Sequence, residues 1–130
     1  AIFRHVAIEG PGYLSEFLDE QNIQWQLIAI DAGESIPNHA EDFSGLVFMG
    51  GPMSVNDRLS WMPKVEKLIR EAFEKNLPLL GHCLGGQLMS KALGGEVIRN
   101  PGKEIGWGKV FVSDNDIARS WFGKMQEFSA

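Results

Sequence analysis

Four short apolar runs, each followed closely by glycine, constrain the fold of this chain more than any other feature. They cover residues 6–8, 27–30, 46–49 and 77–81, and two weaker candidate strands cover residues 96–99 and 109–112. Apolar residues at helical spacing predict three helices. They cover residues 13–21, a segment that follows Ser60, which can cap it, and residues 84–93. Short apolar runs alternating with amphipathic helices are typical of a parallel sheet covered on both faces. The sequence therefore predicts an α/β fold with an open, doubly wound, mainly parallel sheet and helices on both faces.

Composition limits the partners and the compartment of the chain. Its 130 residues suffice for a core of their own, so we expect a single domain over residues 1–130. The formal net charge of −5 favours neither nucleic acid nor a membrane surface as a partner, and no apolar run is long enough to span a bilayer. The single cysteine excludes an internal disulfide and fits a reducing compartment, so the expected location is the cytoplasm. We expect no metal and no cofactor.

The cysteine lies in a motif that is typical of a nucleophile. Cys83 is the centre of Gly81–His82–Cys83–Leu84–Gly85, between a predicted strand and a predicted helix. Such a strand–turn–helix context defines a nucleophile elbow, in which small flanking residues allow a sharp, strained turn. The N-terminus of the following helix also favours a thiolate over a thiol. The alternative is that Cys83 is a small, buried apolar residue, as many free cysteines are.

A second glycine turn strengthens the prediction of an active site. Gly50–Gly51–Pro52 directly follows the third apolar run. In a parallel sheet this turn lies at the same edge as the cysteine turn, where ligands bind. The backbone N–H groups of Gly51 and Leu84 are therefore predicted to form a two-donor oxyanion hole beside Cys83. By itself, a Gly-Gly-Pro turn is also compatible with an ordinary strand connection.

These motifs resemble those of one enzyme family, the class I (triad) glutamine amidotransferases, and within it the stand-alone members similar to the GMP synthase glutaminase domain. Residues 81–87, Gly-His-Cys-Leu-Gly-Gly-Gln, match the family's G-x-C-x-G-x-Q motif, and residues 47–53 resemble its oxyanion strand and loop. The resemblance extends to residues 9–12, 31–34, Trp61 and 104–107, where Glu104 and Trp107 belong to the pattern.

The resemblance implies a flavodoxin-like fold and the hydrolysis of glutamine to glutamate and ammonia, with the ammonia passed to an acceptor. It makes Cys83 the nucleophile that forms a glutamyl thioester, and Gly51 and Leu84 the oxyanion donors. Gly50 and Gln87 would bind the substrate glutamine. No cofactor is implied, and the implied partner is a synthase domain or subunit that takes the ammonia.

The chain departs from the family pattern in its histidines. The family's base belongs to a His-x-Glu motif downstream of the cysteine, whereas the three histidines here are His5, His39 and His82. We expect His82 to pack beside the strand rather than to take a catalytic role, and His39 to be solvated, whereas His5 could face either way. The predicted domain is therefore incomplete at its C-terminus, with the base in an absent segment, and the 130 residues alone are expected to be inactive. The alternative is a degenerate, non-catalytic relative.

Two other functions fit part of the pattern. A dienelactone-type cysteine hydrolase has a similar elbow, but Gln87 and the Gly50–Gly51–Pro52 turn favour an amidotransferase. A non-catalytic binding module with a reactive thiol is the alternative outside enzymes. Dinucleotide binding is disfavoured, because neither glycine turn has G-x-G-x-x-G spacing.

Overall fold

The computed structural model describes residues 1–102 and 106–129. It divides the chain into two compact units, Ala1–Ile98 and Arg99–Ala130. The first unit contains four strands and three α-helices: β1 (Ile2–Arg4), α1 (Tyr13–Glu20), β2 (Leu27–Ala29), β3 (Leu46–Phe48), α2 (Met62–Glu74), β4 (Leu79–Gly81) and α3 (Leu84–Ala92). Two short 3₁₀ helices cover Ile30–Ala32 and Ala40–Asp42. The single domain expected over residues 1–130 stays a prediction.

The four strands of the first unit form one parallel sheet in the order β2-β1-β3-β4. The chain crosses from β1 to β2 in one direction and from β3 to β4 in the other. Since such crossovers are right-handed, α1 lies on the opposite face of the sheet from α2 and α3. The predicted doubly wound α/β fold is thereby confirmed. Its topological switch point falls between β1 and β3, where a crevice for ligands is expected.

The core lies between the sheet and the pair of helices α2 and α3. Phe3 of β1 and Phe48 of β3 are fully buried, and their rings stack with centroids 4.8 Å apart. The apolar stripe of α2 packs over them, with its buried members Met62, Val65, Leu68, Ile69 and Ala72. From α3, Leu84 and Leu88 join the same cluster. Burial of these side chains sets the ends of β3 and β4 side by side beneath the start of α3.

Three local predictions from the sequence are wrong. The first strand is Ile2–Arg4 and not the run at residues 6–8, which forms a turn in which Ile8 is 89% exposed. Residues 96–99 form no strand. The N-cap of α2 is Trp61 rather than Ser60, and no side chain caps that end. Apolar composition placed the predicted first strand at residues 6–8, but burial of Ile2 and Phe3 in the sheet decided where β1 lies.

Among its described residues, the second unit has one helix between two paired strands: β5 (Lys109–Phe111), α4 (Asp116–Phe122) and β6 (Glu127–Ser129). The two strands are antiparallel, with Val110 opposite Phe128. Asn115 caps α4 by accepting a hydrogen bond from the Ala118 N–H at 2.8 Å. The strand predicted at residues 109–112 is confirmed as β5. Glu104, which the resemblance singles out, lies outside the described residues.

Candidate active site

Cys83 occupies the sharp turn between β4 and α3. It is the N-cap residue of α3, its side chain is exposed, and its backbone has φ 50° and ψ −109°. Apart from asparagine and aspartate, an L residue seldom adopts a positive φ, because its Cβ crowds the backbone. Strain of this kind at an exposed nucleophilic side chain is typical of a nucleophile elbow. The alternative of a buried, inert cysteine therefore does not describe Cys83.

Two glycines of the motif make the turn possible. A Cβ added to Gly81 would lie 2.5 Å from the Gly86 nitrogen, so β4 and α3 approach too closely there for any side chain. A Cβ on Gly85 would overlap the carbonyl oxygen of Phe48 in β3. In both cases the obstacle is backbone, which cannot rotate away as a side chain can. The spacing of glycines around Cys83 is thus a packing requirement of the fold.

The Gly50–Gly51–Pro52 turn contacts the start of α3, as the sequence predicts. The place of a Cβ on Gly51 lies 3.0 Å from Cδ2 of Leu84, which is itself buried. The His82 N–H donates to the Phe48 carbonyl at 2.9 Å and so joins the two turns. Among the residues that the structure describes, no acceptor takes the N–H of Gly51 or of Leu84. Two unpaired donors thus border the cysteine turn.

Gly50 lies between two polar side chains at the same edge of the sheet. A Cβ at Gly50 would overlap a carboxylate oxygen of Glu9 and lie 3.4 Å from Nδ1 of His82. His82 is exposed, so the expectation that it packs beside the strand is wrong. Glu9, from the turn after β1, was not predicted as a site residue. Its only signal in the sequence was its place in the Glu-Gly-Pro-Gly segment that resembles the family.

Gln87 lies in the first turn of α3, and its side chain is exposed. Its N–H donates to the Cys83 carbonyl at 3.1 Å, so the residue is held directly above the cysteine turn in the helix. His39 is exposed beside Glu71, with 3.8 Å between Nδ1 and Oε1, in agreement with the solvated position expected for it. Across the described ranges, no histidine hydrogen-bonds the sulfur of Cys83.

His5 is the polar residue of this edge whose role sequence reasoning missed. It follows β1 directly and is 3% exposed. Its Nδ1 lies 2.9 Å from the carbonyl oxygen of Met49, and its ring stacks on Trp61 with centroids 4.9 Å apart. Burial lowers the pKa of His5, and the nearby carbonyls of Met49 and Gly50 and the charges of Asp31 and Glu9 oppose that shift without reversing it.

The lowered pKa of His5 predicts that the fold loses stability as pH falls. Below the ordinary value of 6.5, the unfolded chain binds a proton that the folded chain excludes until its own lower pKa is reached. The free energy of unfolding should therefore fall between pH 7.5 and pH 5.5. We expect His5→Asn to flatten that fall, which urea unfolding at the two pH values measures.

The exposed His39 provides the control for this pH dependence. His39→Asn makes the same substitution at a side chain that is 61% exposed, so it measures what loss of an imidazole does away from the buried position of His5. The assignment to His5 would be contradicted if the free energy of unfolding had the same pH dependence in the parent chain and in His5→Asn.

The described residues include no set of three His, Cys, Asp or Glu side chains arranged to hold a metal ion. In the same part of the chain, no helix has the length and apolar character that crossing a membrane requires.

Comparison with known proteins places these features in a family. Residues 14–130 match the model of the glutamine amidotransferase class I family. The glutamine amidotransferase-like protein YfeJ of Salmonella typhimurium is 32% identical over 115 residues, which cover 85% of this chain and 48% of YfeJ. One subunit of the glutamine-hydrolysing GMP synthase of Sulfolobus acidocaldarius is 36% identical over 91 residues, or 70% of this chain and 46% of that protein.

A solved structure shares nearly all of this fold. The glutamine amido transferase of Methylobacillus flagellatus superposes with a TM-score of 0.95 at 44% identity, over 98% of this chain and 51% of that one. The chain thus spans about half the length of YfeJ and of this structural relative. The matches favour neither a dienelactone-type hydrolase nor a non-catalytic binding module.

Proposed function

Because this chain belongs to the class I glutamine amidotransferase family, we propose that it supplies the nucleophile half of a glutamine-hydrolysing site, with Cys83 as the catalytic residue. The observation that carries the proposal is the exposed Cys83 at φ 50° on the N-terminus of α3. An exposed cysteine contributes little to packing, so packing does not explain why this residue keeps a conformation that costs on the order of 1–3 kcal/mol. A nucleophile that a tight turn holds out toward its substrate does explain it.

The proposed chemistry is acyl transfer through a thioester. The Cys83 thiolate attacks the side-chain carboxamide carbon of glutamine, and the carbonyl oxygen takes up the negative charge. The unpaired N–H groups of Gly51 and Leu84 stabilise that oxyanion. The carbon–nitrogen bond then breaks, the nitrogen leaves as ammonia after gaining a proton, and water hydrolyses the glutamyl thioester to glutamate and the free thiol.

Two further residues are proposed to bind the glutamine itself. Gly50 has no side chain and lies between Glu9 and His82, so a ligand can approach its backbone closely. Gln87 presents an exposed amide in the first turn of α3, next to Cys83 in the helix. The support for both roles is their position at the carboxyl edge of the sheet, beside the cysteine.

The base and the ammonia acceptor are proposed to lie outside these 130 residues. None of the three histidines hydrogen-bonds Cys83 in the part of the chain that the structure describes, so the base is assigned to a His-x-Glu segment beyond residue 130. A synthase domain or subunit is proposed to take the ammonia, because relatives of this chain are named GMP synthases. The cytoplasm remains the proposed location.

The proposal is tested by covalent labelling with a chloromethyl ketone that has the amino-acid end of glutamine and a ketone in place of its carboxamide. The thiolate adds to the ketone carbon, whose oxygen becomes an oxyanion, and the sulfur then bonds to the chloromethyl carbon as chloride leaves and the ketone re-forms. Since the chain has one cysteine, mass spectrometry should show a single adduct. We expect saturable labelling that free glutamine slows.

Chloroacetone is the matched control, because it carries the same reactive group without the amino-acid end. Two results would contradict the proposed site. The glutamine-shaped reagent could label the chain no faster than chloroacetone does, or free glutamine could fail to slow its labelling.

A further inference from the structure

The Gly50–Gly51 turn is anchored to β1 at the residue that precedes it. The N–H of Met49 donates to the Phe3 carbonyl at 2.9 Å, and the Met49 carbonyl lies 2.9 Å from Nδ1 of His5. Both backbone groups of Met49 are therefore held by β1 or by the residue after it. In the described part of the chain, the N–H groups of Gly50 and Gly51 have no acceptor. The His5–Met49 bond is thus the last fixed point before the two glycines.

The protonation of His5 follows from this bond. A carbonyl oxygen only accepts, so Nδ1 carries the proton and donates it to Met49. The other ring nitrogen, Nε2, is buried and has no partner among the residues described. Burial of the ring lowers the pKa of His5 and so favours the neutral form.

The ring of His5 is buried and stacks on a second ring. Trp61, at the start of α2, stacks on it with an angle of 25° between the two rings. Cβ of His5 also lies near Gly51, 3.4 Å from the place that a Cβ on that glycine would occupy. Burial of His5 and stacking on Trp61 therefore restrict rotation of the ring that donates to Met49.

We propose that His5 is a positioning residue for the oxyanion hole, acting through the Met49 carbonyl on the Gly51 N–H. Two successive glycines have wide backbone freedom and no side chain to anchor them, so their conformation depends on what holds their ends. The His5 bond fixes the plane of the Met49–Gly50 peptide, and this sets the direction in which the chain enters Gly51. The inference rests on the proposed function, since it assigns the Gly51 N–H to the oxyanion.

The test compares two side chains of the same shape at position 5. In His5→Asn, an amide N–H replaces Nδ1 at the same number of bonds from the backbone and donates to Met49. In His5→Leu, a methyl group takes that place and donates nothing. Both variants are made in the full 130-residue chain, and each is labelled with the glutamine-shaped chloromethyl ketone and, separately, with iodoacetamide. The first reaction passes through an oxyanion and the second does not.

We expect His5→Leu to lower the maximal labelling rate, kinact, by about 10-fold or more, since loss of one oxyanion donor costs roughly 10²–10³-fold in rate. The half-saturating concentration, KI, should change little. His5→Asn should recover most of kinact. The iodoacetamide rate should be equal in all three chains, because that reaction needs the sulfur alone. If His5→Leu does not fold, His5→Gln replaces it, since its amide reaches the position of Nε2 rather than Nδ1.

Each other outcome identifies what is wrong. Equal kinact in His5→Leu and the parent chain, or equal losses in His5→Leu and His5→Asn, would overturn the positioning role. Parallel losses with both reagents would assign His5 to general stability. If the parent chain itself shows no preference for the glutamine-shaped reagent over chloroacetone, the proposed function fails and the inference fails with it.

Discussion

Replacing Cys83 with glycine is expected to abolish labelling by the glutamine-shaped chloromethyl ketone and at the same time to stabilise the fold relative to Cys83→Ala. The loss of labelling is complete, because the chain has no second cysteine. The gain in stability follows from φ 50° and ψ −109° at this position, a conformation that glycine adopts freely and that costs a residue with a Cβ on the order of 1–3 kcal/mol.

Cys83→Ala is the matched variant, because it removes the sulfur and keeps the Cβ that causes the strain. After the roughly 0.5–1 kcal/mol that glycine loses in chain entropy, Cys83→Gly should still unfold at higher urea than Cys83→Ala, by about 1 kcal/mol. Equal free energies of unfolding would show that the turn is not strained. A covalent adduct on either variant would show that another group reacts with the reagent.

The parts of the site that the sequence predicted are those that depend on local chain geometry. A cysteine between glycines, after an apolar strand and before a helix, has few conformations available, so the turn at Cys83 followed from residues 81–85. The Gly50–Gly51 turn was predicted for the same reason. Its contact with Leu84 followed from the parallel sheet, which brings the ends of β3 and β4 to one edge.

The parts that were missed depend on contacts between residues far apart in the chain. His5 is buried because Met49 and Trp61, from two other elements, close around it. Nothing in residues 1–8 indicates those contacts. The apolar run at residues 6–8 was predicted as the first strand, whereas the strand is Ile2–Arg4. Glu9 follows the turn at residues 6–8, which the sequence analysis predicted as a strand, and its carboxylate lies beside Gly50. Long-range packing therefore decided the polar surroundings of the site.

Replacing Gly85 with alanine is expected to destabilise the fold and to disrupt the site together. The new Cβ would overlap the Phe48 carbonyl oxygen, so α3 must move away from β3. Overpacking of this kind costs typically about 1–3 kcal/mol. The same movement carries Cys83 and the Leu84 N–H away from Gly51, and a displacement of roughly 1 Å can cost about 10²-fold in rate. Urea unfolding and kinact with the glutamine-shaped reagent measure the two effects.

The next residue, Gly86, separates this steric effect from any general cost of alanine in α3. A Cβ there would lie 3.4 Å from the Gly81 carbonyl oxygen, an ordinary contact, and Gly86 is inside the helix. Gly86→Ala should therefore keep kinact and gain up to about 1 kcal/mol from its better helix propensity. If Gly85→Ala and Gly86→Ala behave alike, the close approach of α3 to β3 is not what holds Cys83 in place. A Gly85→Ala chain that loses stability yet keeps kinact would show that Cys83 and its donors tolerate movement of α3.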